Sequence, residues 1–230
     1  MIISHKHKFI FVKTKKTAGT SFEIALSKIC GPDDILTPID HRDEVARMAY
    51  AGISAQNYFL PWKQYTWNKM FDYLAKKKRL PLRFYPHISC QKIRDWVEPE
   101  IWESYYKFTI ERNPFDKIVS LYYWRNGDKK FGNIYDFIKG GGLSDFSSYD
   151  IYAADGLPAV DKIYRYEDLG FACEDLTRRL QLEEPLRMPS YRAKFSERRE
   201  KGCQELLDER SIELIRMIFA REFQLLGYEF

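Results

Sequence analysis

Three short apolar segments, each followed directly by a segment with helical periodicity, most constrain how this chain can fold. They comprise residues 9–12, 106–110 and 162–166. Each has the length and the aromatic and β-branched content of a buried strand. Strands that alternate with helices along a chain are typical of an α/β fold built on a parallel sheet. We therefore expect a central parallel sheet flanked by helices.

Helix signals follow each predicted strand. After the first strand, apolar residues recur at the spacing of one helix face, and a Gly-Pro pair ends the pattern. The apolar residues are Phe22, Ala25, Leu26 and Ile29, and the pair is Gly31 and Pro32. After the second strand, Asn113 is placed to cap a helix that begins near Pro114. Further helices are predicted over residues 167–179 and 208–226.

The size and charge of the chain limit its class. A chain of 230 residues, 45% of them hydrophobic, suits one folded domain, so we expect a single domain over residues 1–230. The net charge of +4 is too small to indicate a nucleic-acid-binding protein by itself. Residues 63–94, however, carry nine basic residues against one acidic residue. That run indicates either an anionic partner or an ordinary solvated face.

The sequence contains no clear targeting segment and no cysteine motif. No stretch approaches the roughly 20 apolar residues that cross a bilayer, and the first residues lack the apolar core of a secretion signal. We therefore expect a cytoplasmic protein. The four cysteines are far apart and form no CxxC pair, so neither a zinc site nor a disulfide framework is expected.

The turn after the first predicted strand has the composition of an anion-binding loop. Residues 13–21 read KTKKTAGTS. Small residues let the backbone approach a ligand, and the N–H groups that begin a helix attract phosphate or sulfate. A plain helix cap by Thr20 or Ser21 is the alternative. The turn is not a Walker loop, because Lys16 precedes Gly19 by three residues instead of following a glycine directly.

The turn after the second predicted strand offers a second anion site. Arg112 leaves the strand end, and Ser120 lies eight residues later, about two helical turns on. A guanidinium at the strand end and a hydroxyl on the adjacent helix can hold a phosphate from two sides. Because ligands of such folds bind at the carboxyl ends of the strands, we expect both turns to lie at the ligand-binding edge of the sheet.

Together the two turns resemble those of the PAPS-dependent sulfotransferases, in particular the carbohydrate-type, sulfotransferase-2-like group with bacterial and phage members. The first turn is similar to their 5′-phosphosulfate loop, PKTAGTS, with Lys15 in place of the proline. Residues 112–120 are similar to their 3′-phosphate motif, RNPxxxxxS, and residues 164–169 and 222–230 resemble further segments of the family. The resemblance implies a P-loop-NTPase-like three-layer fold. It also implies transfer of a sulfuryl group from PAPS (3′-phosphoadenosine 5′-phosphosulfate), with adenosine 3′,5′-bisphosphate as the product.

The resemblance also implies roles for residues of the two turns. Lys16 aligns with the lysine of KTAGTS, and the implied role is to stabilise the leaving phosphate; Lys13 and Lys15 are the alternatives. The residues expected to bind PAPS are Lys15, Lys16, Thr17, Ala18, Gly19, Thr20, Ser21, Arg112 and Ser120.

The acceptor must lose a proton, so a base is expected beside the donor. Similar sulfotransferases carry a histidine or glutamate base in the stretch that holds His87, and an imidazole suits this role at neutral pH. We expect His87 to be the catalytic base; a histidine that caps or packs against the following helix is the alternative. Glu23 and Glu111 are weaker carboxylate candidates, and Glu111 is expected to pair with a nearby cation. No metal is required.

The acceptor is less well defined by the sequence. Residues 56–86 combine aromatic and basic side chains, so we expect an acceptor-side lid or insertion there and a carbohydrate acceptor. Ordinary packing in the core or against a helix is the alternative for any single aromatic residue of this segment. Residues 190–194 are expected to form a basic surface loop, with a contact to adenine or to the 3′-phosphate as the alternative. Two other functions stay open: a nucleotide kinase or NTPase of related fold, and a non-catalytic protein that binds nucleotides or nucleic acid.

Overall fold

The computed structural model of the chain describes residues 1–59, 82–190 and 203–230. Its strands, numbered along the chain, are β1 Ile2–Ser4, β2 Phe9–Val12, β3 Ile35–Leu36, β4 Tyr106–Glu111, β5 Ala153–Ala154, β6 Leu157–Pro158 and β7 Lys162–Arg165. Five of them form one sheet in the order β3-β1-β2-β4-β7, and β5 pairs with β6 in a separate hairpin. The three predicted strands are confirmed as β2, β4 and β7, which lie side by side.

These three strands are parallel, as predicted. β2 pairs with β4 and β4 pairs with β7 in parallel register. The expectation of a wholly parallel sheet was wrong for β1 and β3, which both pair antiparallel with their neighbours. Only four residues join Ser4 to Phe9. A connection that short makes a hairpin, because a parallel crossover needs a dozen residues or more.

Helices follow the strands in the predicted places. They are α1 Gly19–Ser27, α2 His41–Ala51, α3 Cys90–Trp96, α4 Pro99–Ser104, α5 Pro114–Trp124, α6 Gly127–Lys130, α7 Ile134–Phe137, α8 Tyr149–Tyr152, α9 Leu169–Arg179, α10 Cys203–Leu206, α11 Glu209–Ile218 and α12 Ala220–Leu226. A π-helical turn spans Ile138–Gly142 and a 3₁₀ turn spans Tyr166–Asp168. Asn113 caps α5, since its side chain accepts from the N–H of Phe115 at 3.1 Å.

Two of the predicted helices differ in extent from those observed. The first ends at Ser27, so Ile29 packs against the core from beyond the helix. The last is divided at Phe219, where ψ is 26° and the backbone leaves helical geometry. Phe219 is buried, so the bend lets α11 and α12 both cover the same apolar cluster.

Residues of β2 that alternate along the strand face opposite sides of the sheet. Phe9 and Phe11 pack with Phe22 of α1 in one buried cluster. Ile10 and Val12 pack with Ile93 of α3 in another. Because helices cover both faces of the sheet, the architecture is a mixed α/β fold with a central sheet between helical layers.

Candidate functional site

Parallel strands that end at one edge of the sheet bring the two predicted turns together. The register pairs Val12 of β2 with Thr109 of β4. The Thr109 hydroxyl donates to the carbonyl oxygen of Val12 at 2.7 Å. The Thr14 hydroxyl donates to the carbonyl oxygen of Ile110. The turn after β2 is therefore bonded directly to the end of β4, from which Arg112 follows.

The turn after β2 enters α1 without a side-chain cap. Lys16 and Ala18 have left-handed backbone φ angles of 62° and 54°. Ala18 occupies the N-cap position and makes no side-chain hydrogen bond to the helix. The alternative of a plain cap by Thr20 or Ser21 is therefore wrong. The N–H groups that begin α1 are not satisfied from the cap position, which is the arrangement that favours an anion.

Gly19 is required by close packing against Lys13. A β-carbon at Gly19 would lie 2.9 Å from Cγ of Lys13 and 3.4 Å from the carbonyl oxygen of Thr14. The Lys13 side chain cannot easily move aside, because its ammonium is held at 2.6 Å from the carboxylate of Glu23. The turn thus keeps its backbone close to the helix start only with glycine at this position.

A buried ion cluster lies beneath this turn. The Glu23 carboxylate is fully buried and contacts the Lys13 ammonium at 2.6 Å, the amino group of Met1 at 2.7 Å and the Arg47 guanidinium at 3.4 Å. Burial opposes ionisation, but the charges of Lys13, Met1 and Arg47 outweigh it and lower the pKa of Glu23 to about 2. Glu23 is therefore a fixed counter-ion, which argues against the carboxylate-base alternative at this residue.

Neutralising Glu23 should destabilise the fold. For Glu23→Gln we expect a loss of about 3 kcal/mol in the free energy of unfolding, because the buried cations lose their counter-charge. Urea unfolding followed by circular dichroism measures this. Glu184→Gln is the control, since Glu184 is 82% exposed in its ion pair with Lys28 and should change stability by less than about 0.5 kcal/mol. Equal unfolding midpoints for the two variants would contradict the assignment.

The other two lysines of the turn point to different partners. The Lys15 ammonium donates to the carbonyl oxygen of Asp145. The Lys16 ammonium lies 5.2 Å from the centroid of the Trp124 ring. Trp124 and Ser120 are four residues apart on α5 and so share one face of that helix. Lys16 and Ser120, predicted from separate motifs, therefore belong to the same side of the site.

Arg112 presents a cation at the end of β4. Its guanidinium carbon lies 4.4 Å from the centroid of the Tyr166 ring, in cation–π geometry. Its Nε is buried and has no hydrogen-bond partner among the described residues. A buried donor without a partner is costly, and an anionic oxygen would satisfy it.

Glu111 is engaged in an ion pair of its own at the end of β4. Its carboxylate is bonded to the Lys117 ammonium, and both side chains are fully buried. The same oxygen, Oε1, accepts the backbone N–H of Arg112 at 2.8 Å. The expectation that Glu111 pairs with a cation is confirmed.

His87 is attached to the first turn by its imidazole. Its Nδ1 lies 2.9 Å from the carbonyl oxygen of Lys13. A carbonyl only accepts, so Nδ1 carries the proton and Nε2 keeps its lone pair. Burial, with the charge of Lys13, lowers the pKa of His87 to about 4, and the ring is neutral at pH 7. Helix α3 is capped by Ser89 and not by His87, which removes the capping alternative.

A cavity of about 730 Å³ opens beside His87 and Lys15. One wall comes from the segment before α3 and includes Tyr85. A second part of the lining includes Asp145 and Asp150. That second part, from residues 143–151, was not predicted from the sequence.

The two turns lie within the part of the chain that matches a known family. The family model described as the sulfotransferase family matches residues 1–140, which is more than half of the chain. The chain belongs to the sulfotransferase family. Comparison with curated proteins and with solved structures gave no significant match.

Two aromatic residues of the candidate site, Trp124 and Tyr166, were not assigned a role from the sequence. Trp124 comes one helical turn after Ser120, and Tyr166 follows β7 much as Arg112 follows β4. In the sequence, only these positions relative to the motifs indicate that Trp124 and Tyr166 belong to the site. Their aromatic character does not, because aromatic residues are equally typical of a core. Residues 60–81 of the predicted lid and 191–194 of the predicted basic loop lie outside the described residues. None of the described helices is long and apolar enough to cross a membrane.

Proposed function

We propose that this sulfotransferase moves a sulfuryl group from PAPS to a hydroxyl or amine of an acceptor, and that the acceptor is a carbohydrate. The observation that carries the proposal is the direct bond between the two anion-binding turns. The Thr14 hydroxyl of the first turn donates to the carbonyl oxygen of Ile110, two residues before Arg112. A bisphosphorylated nucleotide needs two neighbouring turns, each of which binds one end of the molecule. By the same reasoning we assign the sheet to the P-loop-NTPase-like class.

Three features of the residues present fit PAPS. Helix α1 has no side-chain cap, Gly19 lets the turn pack closely over Lys13 at the start of α1, and Nε of Arg112 is buried without a partner among the described residues. Residues 15–21 would hold the 5′-phosphosulfate, while Arg112 and Ser120 would hold the 3′-phosphate. When bound, PAPS supplies an activated sulfuryl group on a phosphate leaving group.

Lys16 is the residue we assign to the leaving phosphate. Transfer of this kind depends mainly on positioning and on stabilising charge, by analogy with phosphoryl transfer. Lys13 is committed to Glu23 and Lys15 to the carbonyl oxygen of Asp145. The Lys16 ammonium lies over the ring of Trp124, which shares a face of α5 with Ser120. It would stabilise negative charge as the sulfuryl group departs.

His87 is the residue we assign as the base. The proton on Nδ1 is donated to the carbonyl oxygen of Lys13. The lone pair of Nε2 is then available for the proton of the acceptor. A neutral ring is required for this, and the lowered pKa of about 4 supplies it at pH 7.

The cavity beside His87 is where we propose that the acceptor binds. It joins an aromatic side chain, Tyr85, with the cation of Lys92 and the carboxylates of Asp145 and Asp150. Carboxylates and ammonium groups hydrogen-bond sugar hydroxyls, and an aromatic side chain offers an apolar surface to a sugar. Residues 56–86 are proposed to complete this acceptor side.

Nucleotide preference tests the proposal. Adenosine 3′,5′-bisphosphate at 100 times its Kd should stabilise the protein by about 2.7 kcal/mol, seen as a rise in melting temperature. ATP with Mg²⁺ should raise the melting temperature much less. The opposite preference would favour a kinase, and steeply salt-dependent binding of DNA or RNA without sulfate transfer would favour a non-catalytic binding protein. A screen of sugars, lipids and small alcohols with labelled PAPS would then identify the acceptor.

Replacing Arg112 should mainly weaken donor binding. For Arg112→Ala we expect KM for PAPS to rise about 10- to 100-fold with little change in kcat, because charge-assisted hydrogen bonds to the 3′-phosphate are lost. Arg112→Lys is the matched variant. Its KM for PAPS should lie between those of the wild type and Arg112→Ala, since lysine keeps the charge but not the fork of donors. Steady-state kinetics with varied PAPS measures this. An unchanged KM in Arg112→Ala would remove Arg112 from the donor site.

A further inference from the structure

Two residues outside both motifs hold the turn that carries Arg112. The Tyr228 hydroxyl is shared between the carbonyl oxygen of Glu111, at 3.1 Å, and Oε2 of Glu167, at 3.3 Å. Oε1 of Glu167 accepts the backbone N–H of Asn113 at 2.9 Å. The contacts therefore reach the residue before Arg112 and the residue after it.

These contacts fix both peptide planes that flank Arg112. The plane before it is held at its carbonyl by Tyr228 and at its N–H by Oε1 of Glu111, at 2.8 Å. The plane after it is held at the N–H of Asn113 by Glu167. Because peptide planes are rigid, fixing both sets φ and ψ of Arg112 and hence the direction of its Cα–Cβ bond.

Arg112 lies outside regular secondary structure, so no helix or strand fixes its backbone. Strand β4 ends at Glu111, and α5 begins at Pro114. Arg112 itself contributes only its stacking on Tyr166 and a buried Nε without a partner among the described residues. The position from which the Arg112 side chain projects thus depends on the side chains that hydrogen-bond to the neighbouring backbone, and the guanidinium at its end stacks on Tyr166.

The residues that follow α12 are themselves anchored at this place. The Asn113 side-chain amide donates to the carbonyl oxygen of Glu229 at 2.7 Å. The Arg165 guanidinium lies 5.1 Å from the centroid of the Tyr228 ring and donates to the carbonyl oxygen of Leu226. Tyr228 is therefore held on both sides and presents its hydroxyl at a defined position.

We infer that Tyr228 and Glu167 are positioning residues that hold Arg112 in the geometry that binds the 3′-phosphate of the donor. The inference rests on the proposed function and adds to it. It makes the segment after α12 a part of the donor site that does not itself touch the donor.

Tyr228→Phe, which removes only the hydroxyl, tests this with two nucleotides. We expect the Kd for adenosine 3′,5′-bisphosphate to rise about tenfold, the cost of one lost hydrogen bond at the Arg112 turn. The Kd for adenosine 5′-monophosphate, which has no 3′-phosphate, should stay unchanged. KM for PAPS should rise with kcat preserved. Isothermal titration calorimetry and steady-state kinetics measure these quantities.

Matched variants separate positioning from a general loss of stability. Tyr50→Phe is the control, because the Tyr50 hydroxyl also donates to a backbone carbonyl, that of Arg187 at 2.9 Å. It should change neither affinity. Glu167→Ala should behave like Tyr228→Phe, and Glu167→Gln, which keeps an acceptor for the N–H of Asn113, should recover most of the affinity.

Three results would overturn the inference. If Tyr228→Phe weakens both nucleotides equally, or weakens neither while the wild type prefers the bisphosphate, then Tyr228 does not position Arg112. If the wild type shows no preference for the bisphosphate over the monophosphate, the proposed function fails, and the inference fails with it.

Discussion

Lys16→Ala should slow sulfate transfer by orders of magnitude while the protein stays folded. We expect kcat to fall by about 10²- to 10³-fold, the usual effect of removing a preorganised group that stabilises charge in a transition state. Binding of adenosine 3′,5′-bisphosphate should weaken much less, because the backbone of residues 17–21 and Arg112 remain. Loss of the cation–π contact between Lys16 and Trp124 should reduce stability by no more than about 1 kcal/mol. Single-turnover rates with labelled PAPS measure the effect.

Lys28→Ala is the matched control for Lys16→Ala. Lys28 follows α1 directly, and its side chain is 54% exposed in a surface ion pair with Glu184. Its removal should leave the rate unchanged and lower the stability by about 0.5 kcal/mol or less. Turnover near the wild-type rate in Lys16→Ala would transfer the assignment to Lys15, whose ammonium also belongs to this turn.

His87→Asn should lower the rate by about 10²- to 10⁴-fold, the contribution of a positioned general base. Asparagine tolerates the left-handed φ of 60° at this position, and its amide can donate to the carbonyl oxygen of Lys13 in place of Nδ1. The variant thus keeps the local structure and loses only the proton acceptor. His41→Asn is the control, since His41 is exposed at the start of α2 and should have no effect. Equal rates for both variants would exclude His87.

The pH dependence of the wild-type enzyme should reflect the same residue. In the free protein the pKa of His87 is about 4, so kcat/KM should fall on the acid side near pH 4 and stay flat through neutrality. Negative charge bound beside the ring favours the imidazolium, so the acid limb of kcat should lie at higher pH than that of kcat/KM. Loss of the acid limb in His87→Asn would support the assignment, and an unchanged limb would contradict it.

Local patterns predicted the strand–helix units of this fold but not all of the sheet. β2, β4 and β7 carry their own apolar runs, and their helices carry caps such as Asn113. β1 and β3 are three and two residues long. Strands that short give no periodicity to read, and their antiparallel direction depends on pairing across the sheet.

The candidate site was predictable to the level of the motif but not of the individual lysine. Lys13, Lys15 and Lys16 are chemically equal in the sequence, and their roles differ only through distant partners: Glu23, Asp145 and Trp124. His87 was indicated by resemblance alone, while its tautomer depends on a carbonyl 74 residues away. Contacts between residues far apart in sequence leave no local pattern, so these details required the structure.

The bond between the His87 ring and the carbonyl of Lys13 has a mechanical consequence. The proposed proton acceptor and the proposed leaving-group cation, Lys16, are both fastened to a single nine-residue stretch of backbone, although they arise more than seventy positions apart. A displacement of that stretch during turnover would carry both groups together. The distance between His87 and Lys16 would then stay constant while the surrounding loops move. Substrate entry and release would therefore leave the in-line geometry of the transfer unchanged.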